Sequence, residues 1–184
     1  MSDPAWYETV DSRVVHDGFA RVRIDRVRVA DGGTIEREVV EHGESVGVVP
    51  VTDEGTVLLL RQYRHPVGGY VLEIPAGMLD VEGEAVADAA RRELAEEMHV
   101  AVRELRHLTL FRNSAGWTTE RTHVYLGEGA APTEPPDDFV PEAEEADLEV
   151  VALPFEEAIA AVVDGTITDA KTVIGLLLAR ERIG

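Results

Sequence analysis

The chain of 184 residues contains no cysteine. Disulfides, thiolate metal sites and cysteine nucleophiles are thereby excluded, and any metal must be held by oxygen or imidazole. Positive charge is scarce as well: Lys171 is the only lysine, and 17 Lys and Arg stand against 36 Asp and Glu, a formal net charge of −19. Such a surface repels nucleic acid and anionic membrane, so neither is expected as a partner, and a phosphate-bearing ligand needs positive charge from another source. No apolar run approaches the roughly 18 residues of a membrane span. The N-terminal "MSDPAWYETV" lacks the basic-then-apolar layout of a signal peptide, which leads to the expectation of a soluble, cytoplasmic protein. A glycine-rich phosphate loop is absent too, since there is no Gly-Lys-Ser/Thr motif.

What is present is enough apolar material, 45% of residues, for one compact domain of ordinary size. Alternation from Phe19 to Val29 predicts a long strand with a slip near Asp25, followed by a turn at "DGG" and a returning strand over 34–40. Strands are predicted in "SVGVVPV" and "GTVLLLRQYR", the run Val57 to Leu60 having the character of a strand buried on both faces. A helix is predicted over Glu84 to Met98, strands at about 102–111 and 121–126, and a strand in "LEVVALP". Pro154 then opens a helix that Gly165 stops, and a last helix starts at Thr168 or Asp169. Strands first, with helices set between later strands, imply an α+β fold with a mixed sheet.

The predicted helix carries the densest charge of the chain, "RRELAEEMHV" at 91–100. At 100° per residue Glu93 and Glu97 lie about 40° apart, with Glu96 at the neighbouring edge and Val86, Ala90 and Leu94 on the adjoining apolar face. Like charges at this spacing destabilise a helix by a few tenths of a kcal/mol, and more when partly buried. A hard divalent cation reverses the sign, and Mg²⁺ takes one or two carboxylates while keeping water and phosphate as its other ligands.

The stretch "EIPAGMLDVEGEAVADAARRELAEEMHV" resembles the signature of the Nudix hydrolases. Gly77 matches the first glycine, Glu84 the first glutamate, Arg92-Glu93 the Arg-Glu pair, Leu94 the aliphatic, Glu96-Glu97 the paired glutamates and Val100 the closing aliphatic. Two letters depart from that pattern. Six residues instead of five separate Gly77 from Glu84, which lengthens a loop without rotating the helix. His99 stands where a glycine is usual, at a helix end that favours φ > 0; either it adopts that conformation at some cost, or it has a role of its own. The segments "LLLRQYRHPVGGYVLEIPAG", "SAGWTTERTHVYLG" and "DGTITDAKTVIGLLLA" resemble the ADP-ribose pyrophosphatase subgroup, with Ala115 in place of the subgroup's proline.

The resemblance implies the Nudix fold, an α/β/α sandwich with a mixed sheet over residues 45–184, preceded by an antiparallel strand region over 1–44 that dimerises. It implies Mg²⁺-dependent hydrolysis of ADP-ribose to AMP and ribose 5-phosphate, with Mn²⁺ as an alternative metal. Another nucleoside diphosphate sugar, or a dinucleotide such as NADH, is the rival substrate, and a non-catalytic nucleotide-sensing module the rival class. Glu93, Glu96, Glu97 and the carbonyl of Ala76 are implied as metal ligands, Glu97 counting also among the catalytic residues. Gly77, Glu84 and Arg92 are given a structural role around them, Glu84 and Arg92 pairing to fix the loop to the helix. The general base is implied in the late acidic stretch, at Glu144, then Glu142, then Glu145. Arg64 is implied in phosphate or ribose contact, Glu120 with the ribose and Arg37 with the adenine. Trp6, Tyr7 and Phe19 are expected in core or dimer packing, with stacking on adenine as the alternative. A homodimer with a shared active site and a small nucleoside diphosphate substrate complete the expected partners.

Overall fold

The computed structural model describes residues 6–134 and 147–183. The chain forms two compact units, Met1–Gly43 with Arg112–Arg121, and Glu44–Phe111 with Thr122–Gly184.

The first unit is an antiparallel meander of β1 (Glu8–Asp17), β2 (Arg21–Arg28) and β3 (Thr34–Glu41). Gly32, at φ 84° in the "DGG" turn, supplies the left-handed backbone that the β2–β3 hairpin requires. Strand β1 is not anticipated by the alternation, because nearly all of its residues are exposed and its register with β2 shifts twice, between Thr9 and Asp11 and between Val14 and His16. The slip expected in β2 near Asp25 does not occur. Strand β2 runs in unbroken register against β3 from Arg21↔Glu41 to Arg28↔Thr34, and the irregularity lies in β1 instead. Asp25 misleads because it is a buried charge: it is 5% exposed, accepts a 2.7 Å hydrogen bond from Ser12 Oγ and pairs with Arg23. A polar letter breaks the apolar alternation while the backbone continues. The segment 112–121 joins this unit through Val40, whose N–H donates to Trp117 O at 2.9 Å and whose carbonyl accepts from Thr119 N at 3.0 Å. Trp6, Tyr7 and Phe19 are 60%, 69% and 87% exposed, so packing in the core of the chain, one of the three roles expected for them, is not what they do.

The second unit is built from β4 (Ser45–Val51), β5 (Thr56–Arg64), β6 (Gly69–Glu73), β7 (Ala76–Met78), α1 (Val86–Met98), β8 (Val100–Ala101), β9 (Glu104–Arg112), β10 (Arg121–Glu128), β11 (Ala131–Pro132), β12 (Glu149–Pro154), α2 (Phe155–Val163) and α3 (Ala170–Ile183). Its main sheet has the order β12-β5-β4-β10-β9, with β6 paired to β5 and β7 to β4. The sheet is mixed: β4 and β10 are parallel, whereas β5–β6, β5–β12 and β4–β7 are antiparallel.

The period of two along a strand sends successive side chains to opposite faces, and both faces are covered. Val46, Val48 and Leu60 face α1, packing with Ala89, Ala90, Leu94 and Met98. Val49, Val51, Val57, Leu59, Val124 and Leu126 face the other way, against Phe155, Ala158 and Ile159 of α2 and Leu176 and Ala179 of α3. This is the α/β/α sandwich with a mixed sheet. No described helix is long and apolar enough to cross a membrane.

Candidate active site

Helix α1 is an alanine-rich segment with Asp88 in its first turn, where the exposed N–H groups favour an acid. It ends at Met98 because His99 takes the left-handed conformation, φ 54° and ψ 45°, its N–H returning to the carbonyls of Ala95 and Leu94. Of the two alternatives left open for His99, its conformation is thus the one a glycine would adopt. The apolar side of α1 packs on the sheet, and that side also buries a charged residue: Glu93 is 8% exposed.

The short strand β7 lies over the same part of the helix. Gly77 faces Glu93 so closely that a Cβ added there would fall inside the space of the carboxylate. Beside it, the N–H of Ala76 donates to Oε2 of Glu97 at 2.9 Å. Arg92 gathers the remaining acids: Glu84 at 3.1 Å through both Nε and Nη2, Glu93 Oε1 at 2.7 Å and Glu96 Oε2 at 3.0 Å through Nη1, and Asp80 at 3.9 Å. One guanidinium therefore ties Glu84 of the loop before α1 to Glu93 and Glu96 of the helix, a task its planar fork of donors suits.

Arg92 does not neutralise the whole group. Burial raises the Glu93 carboxyl to about 7 against the pull of Arg92, with the neighbouring Glu96 adding to the rise. Burial, followed by repulsion from Glu93, raises Glu97 to about 8, while the Ala76 N–H and the charges of Arg64 and Lys171 pull the other way. Glu93, buried, and Glu97, partly buried, thus stand side by side with little positive charge directed at them beyond Arg92 and the more distant Arg64 and Lys171. Their donor atoms are all carboxylate oxygens, which suit a hard cation. No three acidic or imidazole side chains among the described residues form a metal cage.

Arg64, at the end of β5, is held bidentately by Glu73 of β6, Nε to Oε1 at 2.7 Å and Nη2 to Oε2 at 2.9 Å. Glu73 is 2% exposed and also binds Lys171, and the two cations keep its carboxyl below the usual carboxylate range despite burial. Arg64, Val67, Val71, Thr168 and Lys171 are among the residues lining a cavity of about 290 Å³. Arg61 is a surface residue, stacked 3.8 Å over the ring of Tyr70 and paired with Glu149 at 3.5 Å.

In the first unit, Arg37 donates to Glu36 O at 2.8 Å and lines a cleft of about 440 Å³ with Arg112 and Trp117. Trp117 is 57% exposed and offers an aromatic face beside two guanidinium groups. Glu120 stands 3.8 Å from Nδ1 of His42 and does not line that cleft.

A NUDIX domain is matched over residues 41–173. The chain belongs to the Nudix family. An ADP-ribose pyrophosphatase of Mycobacterium tuberculosis is 36% identical to it over 173 residues, covering 93% of this chain and 82% of that protein. An ADP-ribose pyrophosphatase of Bacillus subtilis is 34% identical over 149 residues, 81% of this chain and 78% of that one. The crystal structure of an ADP compounds hydrolase shares the fold with a TM-score of 0.84 at 22% identity, covering 100% of this chain and 97% of that one.

The Nudix signature residues Gly77, Glu84, Arg92, Glu93, Glu96 and Glu97 come together with Ala76 around one end of β7, and Arg64 bears electrostatically on Glu97. Arg37 and Glu120 belong to the first unit. Glu142, Glu144 and Glu145 lie outside the described residues. Sequence reasoning about this Nudix domain missed Glu73, Asp169, Lys171 and Trp117. The signal for Lys171 was on the page: a single lysine in a chain of arginines, at the start of a helix where a cation is disfavoured.

Proposed function

We propose that this Nudix protein hydrolyses the pyrophosphate of ADP-ribose to AMP and ribose 5-phosphate with Mg²⁺. The observation that carries the reading is the gathering of oxygen donors at one end of β7: Glu93 buried against Gly77, Glu97 held by the Ala76 N–H, and Glu96 drawn in by Arg92. The names of the Mycobacterium tuberculosis and Bacillus subtilis relatives support the substrate.

In this reading Glu93 and Glu97 hold the metal, with Glu96 and the Ala76 carbonyl completing the set, and Arg92 keeps the helix carboxylates in place before the metal arrives. When bound, the cation neutralises charge on both phosphates and acidifies a water molecule. In the hydrolysis a water oxygen joins one phosphorus, the bridging P–O bond breaks with the bridging oxygen leaving on the other phosphate, and a carboxylate of the late acidic stretch accepts the water's proton. Glu144 is assigned that role, then Glu142, then Glu145. Arg64 contacts a phosphate or the ribose through Nη1, which has no partner among the described residues. Arg37, with Trp117 beside it, receives the adenine, and Glu120 the ribose.

The N-terminal strand region 1–44 is assigned to dimerisation with a shared active site, supported by exposed Trp6, Tyr7, Val14, Val15 and Phe19. Sedimentation equilibrium is expected to return twice the 20.1 kDa of one chain; a monomer at micromolar concentration overturns this part. The activity is tested by product analysis with ADP-ribose and Mg²⁺, wild type beside E97Q and the single changes E142Q, E144Q and E145Q. AMP and ribose 5-phosphate are expected from the wild type, E142Q and E145Q, and little or none from E97Q and E144Q; loss confined to E142Q or E145Q moves the base to that residue. Equal turnover by E97Q overturns the metal assignment, and faster hydrolysis of NADH or another nucleoside diphosphate sugar overturns the substrate.

A further inference from the structure

Lys171 is the second residue of α3, in the turn where the helix dipole disfavours a cation. Its side chain is only 14% exposed. It contacts Glu73 and donates to Asp169 Oδ1 at 3.1 Å, while Asp169 Oδ2 accepts from the Thr172 N–H at 3.0 Å and its hydroxyl at 2.6 Å. Thr172 Oγ1 in turn accepts from the N–H of Ile74 at 2.8 Å. The start of α3 is thereby fixed to the strand end that continues through Pro75 into Ala76 and the Glu97 carboxylate.

The charges decide what Lys171 does here. Within this charge-balanced cluster Lys171 is directed at Glu73 and Asp169, whereas Arg64 spends only Nε and Nη2 on Glu73, so Arg64 and not Lys171 keeps a donor, Nη1, to offer an anion. That argues against Lys171 as a phosphate ligand. Remove it, however, and two shielded carboxylates face a single cation, Asp169 then competing with Glu73 for Arg64. We propose that Lys171 is a positioning residue: by joining Glu73 to Asp169 it keeps the Glu73 carboxylate committed to Arg64, whose Nη1 is left for a substrate phosphate. The inference rests on the assignment of Arg64 to the substrate.

Steady-state kinetics with ADP-ribose and Mg²⁺ on K171M, D169N, K171M/D169N and R64A tests it. K171M keeps the aliphatic stem and is expected to raise KM about tenfold while kcat stays within about threefold. The double change removes the competing carboxylate, Asn still serving as a helix cap, and is expected to restore most of the loss. Wild-type KM in K171M beside a raised KM in R64A overturns the inference and leaves the Arg64 assignment standing. Wild-type KM in R64A overturns both. A double variant as poor as K171M means direct substrate contact by Lys171 and overturns the positioning role.

A second measurement needs no catalysis and no K171M protein. Because the chain has one lysine, acylation of Lys171 by an amine-reactive ester is readable by mass spectrometry without interference from other lysines. With its side chain 14% exposed and engaged by Glu73 and Asp169, Lys171 of the metal-free wild type is expected to react about tenfold more slowly than Nα-acetyl-lysine amide in the same solution, and several-fold faster in E73Q than in wild type. A wild-type rate equal to that of the free amide overturns the clamp.

Discussion

Gly77 lies directly against the carboxylate of Glu93, so closely that no side chain fits between them. The relationship explains a glycine whose backbone angles alone do not demand one, since Gly77 is not among the residues with positive φ. G77A is expected to push Glu93 out of place, lowering stability by about 1–3 kcal/mol through overpacking. The divalent-ion affinity is expected to fall at least about tenfold, an effect typical of disturbed ligand positioning. Isothermal titration with Mn²⁺, alongside thermal unfolding, checks both.

The pH dependence of the metal-free protein has a definite sign. Glu97 titrates near 8 in the fold against an ordinary value of 4.5, and Glu93 near 7. Between those values the folded chain holds protons that the unfolded chain has released, so stability falls as pH rises. The buried carboxyls whose values are lowered, Glu73 and Asp25, lose their contribution only at acid pH, below this window. A metal-free melting temperature several degrees lower at pH 8.5 than at pH 5.5 is expected, a loss on the order of a few kcal/mol. Saturating Mg²⁺ is expected to remove the difference. A flat profile without metal contradicts the proposed shortage of positive charge.

E97Q separates catalysis from stability. The amide keeps the acceptor for the Ala76 N–H but cannot ionise, so the metal-free variant is expected to be more stable than wild type at pH 8.5. At the same time kcat is expected to fall by about a hundredfold or more. Differential scanning calorimetry and initial rates measured on one preparation give both numbers.

R92K tests the guanidinium as a tie. An ammonium is a point donor and cannot hold Glu84, Glu93 and Glu96 together. With the Arg92 side chain 25% exposed, the expected loss of stability is modest, about 1–2 kcal/mol, while turnover is expected to drop about tenfold or more. Urea titration and kcat measure the two effects.

H99G addresses the end of α1. The left-handed conformation of His99 costs a β-carbon residue strain that glycine avoids, so H99G is expected to stabilise the protein by about 0.5–1 kcal/mol with turnover unchanged. A fall in turnover would show a role for the imidazole beyond closing the helix.

Much of this molecule is legible in its letters because local physics sets it. The spacing of Glu93 and Glu97 puts both on one side of α1 whatever surrounds the helix. The run Val57 to Leu60 announces a strand covered on both faces, since a continuous apolar stretch that short has no other stable place. The glycine-rich turns and the Pro154 start of α2 follow from φ restrictions within single residues. Less legible were β1, whose outward-facing residues leave no alternation to read, and Asp25, a charge inside a sheet that only its partners Ser12 and Arg23 make tolerable.

The helix carboxylates, the covered sheet and the family signature are set by the order of residues alone, because each depends on spacing along one element. The tertiary structure alone decided the close approach of Gly77 to Glu93, the shift of ionisation at Glu97 and the four-charge cluster around Glu73. Each of these joins side chains from elements far apart in the chain, with Lys171 and Glu73 separated by 98 positions. Desolvation, contact and charge balance exist only once those elements are packed, and no periodicity in the letters encodes them.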